Sequence, residues 1–328
     1  MLNKLLDNLF LKEGLFKFVN FPLISFLYRQ IYKFNIEHKL KNFKLSDLTV
    51  SIEPSNVCNS KCRMCPYPTM NRPKVIMSME LFSKIVNDCI QEGIRSFNLN
   101  FYNEPFLDPQ IFERIKFIKS KKARVQLFSN ASVINKECAE KILSSGLDRI
   151  DLSIDGVKKE TYESIRVGLN WETVQANILY LIKRKKELNL KSPKIRVIFV
   201  RQESNKAEVN EFINFWQGKA DRVIISSDDN RNDTSSFFNK TNVSKKAFPC
   251  KRLWSELIVM SNGKVPLCCI DADGEVNLGD FNIAKLKEIW NSEKFKQIRK
   301  LHLDFKADRI SLCRSCVHPF RMNLKSWW

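Results

Sequence analysis

Short apolar runs alternate with amphipathic segments from residue 48 to residue 227, and this alternation is the strongest pattern in the sequence. The apolar runs predict six strands: Leu48–Glu53, Ile94–Phe101, Arg124–Ser129, Arg149–Ile154, Lys194–Val200 and Arg222–Ser227. The segments between them, with apolar residues at helical spacing, predict five helices: Met79–Gln91, Pro109–Lys121, Lys136–Ser145, Trp171–Leu188 and Lys206–Gly218. Repeated strand–helix units predict an α/β domain over residues 48–230 with a mainly parallel sheet. Chemistry in such folds gathers at the carboxyl ends of the strands.

Residues 1–47 carry apolar residues at helical spacing, interleaved with lysines, and predict a basic amphipathic extension. The longest uncharged run, Phe18–Tyr28, is eleven residues long and contains Pro22. That run is too short to span a bilayer, and no signal-peptide cleavage site follows it. Two interpretations remain. Residues 1–40 form a surface helix that contacts anionic lipid or a partner, or the segment is a helical extension packed against the body of the protein, which we favour.

Residues 248–320 predict a second, smaller domain. Two short apolar runs, Leu257–Met260 and Lys264–Cys268, flank the turn Ser261-Asn262-Gly263 and predict a hairpin. An amphipathic helix is predicted over Ile283–Leu301. The domain contains five cysteines, so its structure is expected to depend on metal ligation.

The composition adds two constraints. The formal net charge of +19 predicts an acidic partner. Candidates are nucleic acid, an anionic membrane, a phosphorylated substrate and an acidic electron donor. Lysine is spread along the whole chain without an aromatic RNA-binding signature, so nucleic acid is disfavoured. Ten cysteines without a signal peptide indicate a reducing, cytoplasmic setting and metal ligation rather than disulfides.

Three cysteines, Cys58, Cys62 and Cys65, lie within eight residues directly after the first predicted strand. Structural zinc sites and electron-transfer clusters normally take four protein ligands, whereas sites that do chemistry keep one position open. Three clustered thiols therefore favour a 4Fe-4S cluster with one iron free. A zinc site with a distant fourth ligand, or a disulfide-bonded loop, is the alternative.

A second group of thiols lies in the C-terminal region, where Cys250, Cys268, Cys313 and Cys316 can close a tetrahedral site. Cys269 is adjacent to Cys268, and the spacing alone does not decide between them. A structural zinc ribbon is compatible with the same spacing.

The spacing Cys-x3-Cys-x2-Cys, with Met64 before the last cysteine, resembles the signature of the radical S-adenosylmethionine (radical SAM) superfamily. The resemblance implies a partial (β/α)6 barrel. Its 4Fe-4S cluster binds SAM and cleaves it reductively to a 5′-deoxyadenosyl radical, which abstracts a substrate hydrogen atom. The C-terminal cysteines resemble a SPASM or twitch domain, closest to the one-cluster branch of 2-deoxy-scyllo-inosamine dehydrogenase. By the Gly-x4-Cys spacing of that family, Cys268 is the predicted ligand, and one auxiliary 4Fe-4S cluster is expected.

The same resemblance implies which residues contact SAM: Glu104, Asn130, Ser153, Asp155 and Arg166. Glu104 is expected to accept the SAM amino group, and Arg166 to pair with the SAM carboxylate. Ser153 and Asp155 are expected near the methionyl and ribose groups. The sequence departs from the family at Asn103, where a Gly is usual, and we expect Asn103 to tolerate the turn by adopting a positive φ.

The one-cluster resemblance implies an oxidoreductase-like enzyme that acts on a small polar molecule such as a sugar or cyclitol. A flavodoxin or ferredoxin-type reductant is its expected partner. Two alternatives stay open: an enzyme that modifies a peptide or protein, and a non-catalytic adaptor that binds metal. The adaptor predicts no SAM cleavage.

Overall fold

The computed structural model describes residues 22–227, 249–314 and residue 316. The N-terminal half of the predicted extension lies outside these residues. So do the expected end of the first domain at 230 and the start of the second at 248.

The described part of the chain contains a seven-stranded sheet with the order β6-β5-β4-β3-β2-β1-β7. Its strands are β1 Thr49–Ile52, β2 Ser96–Asn98, β3 Arg124–Ser129, β4 Arg149–Ser153, β5 Lys194–Arg201, β6 Arg222–Ser227 and β7 Glu256–Val259. Neighbouring strands in this sheet pair in parallel. The predicted α/β fold with a parallel sheet is confirmed, and β2 is shorter at both ends than expected.

Helices connect the strands and cover the outer face of the sheet. They are Met79–Gln91, Ile111–Ser120, Lys136–Ser144, Lys159–Ile165, Trp171–Glu187 and Val209–Trp216. The helix Lys159–Ile165 was not predicted, because seven residues are too few to establish a helical period. Side-chain caps begin three of the others, with Ser78, Asn135 and Asn170 accepting from the backbone N–H three residues on.

The strand pairing predicted for the C-terminal hairpin is wrong. Its first arm is β7, which lies parallel to β1 with Thr49 opposite Glu256 and Ile52 opposite Val259. The second arm is short, and β8 Lys264–Val265 pairs antiparallel with β9 Gly279–Asp280. The turn itself forms, with Gly263 at φ 86°. The Asn-Gly sequence specifies the turn but not the pairing of the strands beside it. The first arm pairs with β1 because β7 then buries Leu257 and Val259 and covers the open edge of β1.

The predicted helix Ile283–Leu301 is two helices, Leu286–Trp290 and Glu293–Leu303. Ser292 begins the second helix by accepting from Phe295 N. The short helices Arg252–Ser255 and Ser311–Arg314 complete the described C-terminal region.

An N-terminal helix, Pro22–Leu40, packs against the body of the protein through its second half. Ile36 is buried in the core, and Lys33 Nζ lies 3.0 Å from Asp304 Oδ1. This contact agrees with the interpretation that we favoured for the described part of the extension. Phe26 and Phe34 remain exposed on the same helix. Within residues 22–227, 249–314 and 316, the helices are too short or too polar to cross a membrane.

Alternation along the strands separates an apolar outer face from a polar inner face. On β5, Ile195, Val197 and Phe199 are buried toward the helices, while Arg196 is half-buried on the opposite face. On β1, Val50 and Ile52 are buried, while Thr49 and Ser51 face inward. The inner face therefore presents hydrogen-bonding groups where a closed barrel would pack branched apolar side chains.

Candidate active site

A cavity of about 620 Å³ lies along the inner face of the sheet. Cys58, Cys62 and Cys65 line its upper end, at the carboxyl ends of the strands, and Cys269 of the C-terminal region lines the same space. Residues from each of the seven strands of the main sheet contribute to its wall. The cysteine loop is therefore located where the alternation of strands and helices placed the chemistry.

Within the cysteine loop, Ser60 links two of the thiols. Its Oγ is 3.3 Å from both Cys58 Sγ and Cys62 Sγ. The Cys58 N–H donates to Tyr67 Oη at 2.8 Å, which fixes the start of the loop. Burial raises the pKa of the Cys58 thiol, partly offset by the Ser60 hydrogen bond. The loop offers three thiols, and sulfur is the ligand that an iron–sulfur cluster takes from the protein.

The loop is held by the segment after the helix Lys159–Ile165. Lys61 N donates to Val167 O at 2.8 Å, and Arg63 N to Ile165 O at 3.0 Å. Between them, Arg166 directs Nη1 toward Cys62 Sγ at 3.6 Å and pairs with Asp155 Oδ2 at 2.6 Å. The guanidinium is thus placed to offset negative charge on the thiolates.

Asp155 is fully buried, and its carboxylate accepts from Arg166 and from Val200 N at 2.7 Å. In the described structure it orients Arg166. Gly156 follows at a position without room for a side chain, because a Cβ there would lie 2.8 Å from Tyr162 N. Ser153, the last residue of β4 and two positions before Asp155, lines the cavity.

Glu104 lies beside the cysteine loop, buried, and its N–H donates to Val57 O at 2.8 Å. Ser129 Oγ donates to Oε1 at 2.8 Å and Asn130 N donates to Oε2 at 2.7 Å. Burial raises the pKa of the Glu104 carboxyl to about 7 against these hydrogen bonds and the charge of Arg166, which lower it. Oε1 also accepts from Phe106 N at 3.4 Å, so Oε2 is the oxygen that keeps a lone pair for a cation in the cavity.

Two asparagines shape the same corner. Asn130 Nδ2 donates to Asn59 Oδ1 at 2.9 Å, so the end of β3 is tied to the cysteine loop. Asn103 does not adopt a positive φ, contrary to our expectation. Instead its Oδ1 accepts from Phe101 N at 3.0 Å and closes the turn by a side-chain bond.

The structure brings the five C-terminal cysteines together. Burial raises the pKa of the Cys250 thiol, and the Cys316 and Cys269 thiolates raise it further. The hydrogen bond with Cys269 and burial raise the pKa of the Cys268 thiol. Among residues 22–227, 249–314 and 316, three or more His, Cys, Asp or Glu side chains do not close around a single-ion site. The choice of Cys268 over Cys269 stays a prediction.

His302 connects two of these cysteines and was not predicted. Cys250 N donates to His302 Nδ1 at 3.2 Å, and His302 Nε2 lies 3.5 Å from Cys313 Sγ. Burial lowers the pKa of the imidazole to about 4, so the ring is neutral near pH 7. Because Nδ1 accepts a proton donor, the single ring proton is on Nε2, facing the thiol. Neither its spacing nor its neighbours in the sequence marked this histidine.

A buried ion pair joins the cysteine-loop region to the C-terminal region. Arg72 donates to both oxygens of Glu53, at 2.7 and 2.9 Å, and its Nε donates to Ala272 O at 2.6 Å. Glu53 also accepts from Ser261 N at 3.0 Å. Tyr102 Oη donates to Cys269 O at 2.6 Å. These bonds fix the second thiol group against the cavity.

Comparison with known proteins agrees with this geometry. The model of the radical SAM superfamily matches residues 52–215, and that of SPASM, an iron–sulfur cluster-binding domain, matches residues 250–317. The chain therefore belongs to the radical SAM superfamily and carries a SPASM domain, and two iron–sulfur clusters and SAM are its cofactors. The cysteines of the two regions fit two iron–sulfur clusters, because each group offers sulfur ligands with hydrogen-bond donors close to them.

Curated relatives match about half of the chain. A probable GTP 3′,8-cyclase of Methanococcus maripaludis is 29% identical over 141 residues, which are 43% of this chain and 45% of that protein. One from Sulfolobus acidocaldarius is 26% identical over 175 residues, 52% of each chain. The chain thus spans about half the length of the curated relatives it matches.

Solved structures share the fold at low identity. BtrN in complex with AdoMet and 2-DOIA superposes with a TM-score of 0.57 at 14% identity, over 85% of this chain and 94% of that one. SuiB of Streptococcus suis, bound to precursor peptide SuiA, gives 0.64 at 15% identity, over 78% and 67%. Native anSMEcpe with bound AdoMet gives 0.63 at 18% identity, over 83% and 90%.

Proposed function

We propose that this enzyme cleaves SAM at the Cys58, Cys62 and Cys65 cluster and abstracts a hydrogen atom from a small polar substrate held in the inner cavity. The observation that carries the proposal is the cavity itself. It brings the three thiols, Glu104 and Arg166 to one end of a polar wall. When bound, the cluster supplies the electron that splits SAM. The protein residues bind, orient and shield the reactants.

Within this proposal the SAM-contact residues have distinct tasks. Glu104 accepts the SAM ammonium, and its two oxygens are aimed by Ser129 and Asn130. Arg166 offers its guanidinium to the SAM carboxylate while Asp155 holds it in place. Ser153 lines the wall at the tip of β4. Asn130 aligns the cysteine loop through Asn59.

Cys250, Cys268, Cys313 and Cys316 would hold the auxiliary cluster, and Cys269 beside them lines the same cavity. Four protein ligands would leave no open iron for the substrate. When bound, the cluster would supply an electron acceptor beside the substrate. A sugar or cyclitol fits the polar wall, and a flavodoxin or ferredoxin-type protein suits the basic surface as reductant.

A guanine nucleotide is the second candidate substrate. The curated relatives are named probable GTP 3′,8-cyclases, and the similarity extends over 43–52% of this chain. Adding GTP to the reconstituted enzyme with SAM and dithionite tests this candidate directly. Formation of 5′-deoxyadenosine above the level without GTP supports it, and an unchanged level excludes it.

Although Ile36 of the N-terminal helix packs into the core, Phe26 and Phe34 are exposed on the same helix, and they support an additional peripheral contact of the segment with an anionic membrane. Binding to vesicles of phosphatidylglycerol and phosphatidylcholine is expected for the full chain. It should be lost after deletion of residues 1–40. Equal binding by both proteins contradicts the contact.

The central experiment measures iron, sulfide and zinc after anaerobic reconstitution. About eight irons per chain are expected, falling to about four in the variant Cys58→Ala/Cys62→Ala/Cys65→Ala, with loss of SAM cleavage. Cys138→Ala is the matched control, because this thiol is a packing residue on the helix Lys136–Ser144. Zinc in place of iron, or no cleavage by the wild type, favours the non-catalytic adaptor instead.

A further inference from the structure

A row of hydrogen-bonding side chains crosses the inner wall of the sheet below the cysteine loop. Ser51, Asn98, Gln126 and Arg149 are paired neighbours on β1, β2, β3 and β4. All four line the cavity, and Asn98 Nδ2 donates to Ser51 Oγ at 3.1 Å. A packed barrel interior is filled by branched apolar side chains. A polar row in that place is stable when a polar ligand or water satisfies it.

Two buried atoms of residues that line the cavity, Asn98 Oδ1 and Asn103 Nδ2, lack hydrogen-bond partners among the described residues. The Asn103 amide orientation is fixed, because its Oδ1 accepts from Phe101 N and so Nδ2 is the free donor. Exchanging the oxygen and nitrogen of Asn98 would still leave one polar atom unpaired. Buried polar atoms without partners are rare in folded proteins, so the protein's own groups satisfy this part of the wall incompletely.

The lower end of the cavity carries surplus positive charge. Arg196 donates to both oxygens of the fully buried Asp151, and Arg149 Nε lies 3.3 Å from Asp151 Oδ1. Two guanidinium groups therefore share one carboxylate. The other arginines of the cavity are matched, Arg166 by Asp155 and Arg252 by Glu256.

The length of β4 sets the distance from the two arginines to the end of the cavity that the cysteine loop lines. Arg149 begins β4 and Ser153 ends it, four residues further on. At about 3.3 Å per residue, the two ends are about 13 Å apart. A ligand that reaches from the arginines toward the cysteine loop has the length of a phosphorylated sugar or a nucleotide.

We propose that the inner wall binds a substrate carrying an anionic group, a phosphate or a carboxylate, on a polar body. The anionic group pairs with Arg149 and Arg196. The polar body lies along Ser51, Asn98 and Gln126 and presents its reacting carbon at the strand tips. This inference rests on the proposed function, since it assigns the substrate class of the same cavity.

The test uses the reconstituted full chain with SAM and dithionite. Metabolites below 1 kDa, on the order of the size that the cavity admits, are separated on an anion exchanger. Each fraction is assayed for 5′-deoxyadenosine formed above the level without metabolites. The stimulating fraction is expected to be retained by the exchanger. Loss of stimulation after alkaline phosphatase identifies a phosphate, and its survival identifies a carboxylate.

The variant Arg149→Gln is expected to need about tenfold more of the stimulating fraction for half-maximal response, since it loses a charged hydrogen bond. Lys183→Gln, which removes an exposed charge on the outer helix, is the control and should respond as the wild type. Should Arg149→Gln not fold, Gln126→Leu tests the same wall without touching the ion pair. Stimulation in the unretained fraction, or a wild-type response of both inner-wall variants, overturns the inference. SAM cleavage that no fraction stimulates would instead contradict the proposed function on a small molecule.

Discussion

Arg72 and Glu53 form a bidentate ion pair, with nitrogen–oxygen distances of 2.7 and 2.9 Å, at the junction between the barrel and the C-terminal region. Glu53 directly follows β1, and Arg72 lies beyond the cysteine loop. The pair is buried on both sides. Both residues also bond the C-terminal backbone, at Ser261 and Ala272. One ion pair therefore holds the two thiol groups in a fixed relation.

Replacing Arg72 by Met leaves the Glu53 carboxylate buried without its partner. The free energy of unfolding is expected to fall by about 3–5 kcal/mol, which urea unfolding of the reconstituted protein measures. Lys141→Met removes an exposed pair with Glu137 and should change it by less than about 1 kcal/mol. Equal effects of the two substitutions would contradict the assigned role of Arg72.

We predict that SAM affinity depends on pH through the ionisation of the Glu104 carboxyl. Burial raises the pKa of its carboxyl to about 7, although its hydrogen bonds and Arg166 lower it. The ionised carboxylate binds an ammonium group, whereas the protonated form does not. Affinity is therefore expected to rise as the pH increases from 6 to 8, by up to about tenfold per pH unit below the pKa. Equilibrium dialysis with radiolabelled SAM measures this change.

In Glu104→Gln the affinity is expected to be lower and independent of pH over the same range, because the side chain no longer ionises. Glu137→Gln, an exposed carboxylate, is the control and should keep the wild-type profile. A flat profile in the wild type would exclude Glu104 as the group that accepts the SAM ammonium.

The hydrogen bond from His302 Nε2 toward Cys313 Sγ predicts an effect on the auxiliary cluster. Hydrogen bonds to ligand sulfurs stabilise the reduced cluster and raise its potential. His302→Leu should lower the midpoint potential. His302→Gln, which keeps a donor, should restore part of the loss.

Potentiometric titration followed by electron paramagnetic resonance measures these potentials. The Cys58→Ala/Cys62→Ala/Cys65→Ala background is used so that only the auxiliary cluster contributes. His38→Leu, on the N-terminal helix, is the control. An identical potential for the protein with His302 and for His302→Leu would contradict the assignment.

We predict that a side chain added at Gly156 displaces the helix that precedes Arg166. The Cβ of Ala would lie 2.8 Å from Tyr162 N and 3.0 Å from Tyr162 Cα, so the helix Lys159–Ile165 must move. Gly156→Ala is expected to lower the free energy of unfolding by about 1–3 kcal/mol and to weaken SAM binding. Ser164→Ala on the exposed side of that helix should leave both within error. Unchanged SAM affinity in Gly156→Ala would show that Arg166 does not depend on this contact.

The sequence by itself determined the repeating units and the metal chemistry. β-branched runs and amphipathic segments specify strands and helices locally, and six of the seven strands in the main sheet of the described chain were located from them. The three-cysteine spacing is equally local, because the three thiols lie in one short loop. The roles of Glu104 and Arg166 came from the family resemblance and stay predictions; the structure places both residues at the wall of the same cavity.

Tertiary structure alone decided which distant groups meet. β7 was expected in a hairpin and instead covers β1, because burying Leu257 and Val259 on the main sheet removes an exposed edge. His302 reaches Cys250 across 52 residues of sequence and Arg72 reaches Ala272 across 200. Such contacts carry no periodic signal in the sequence. They arise from long-range packing, which also turns a row of unrelated polar residues into one wall of the cavity.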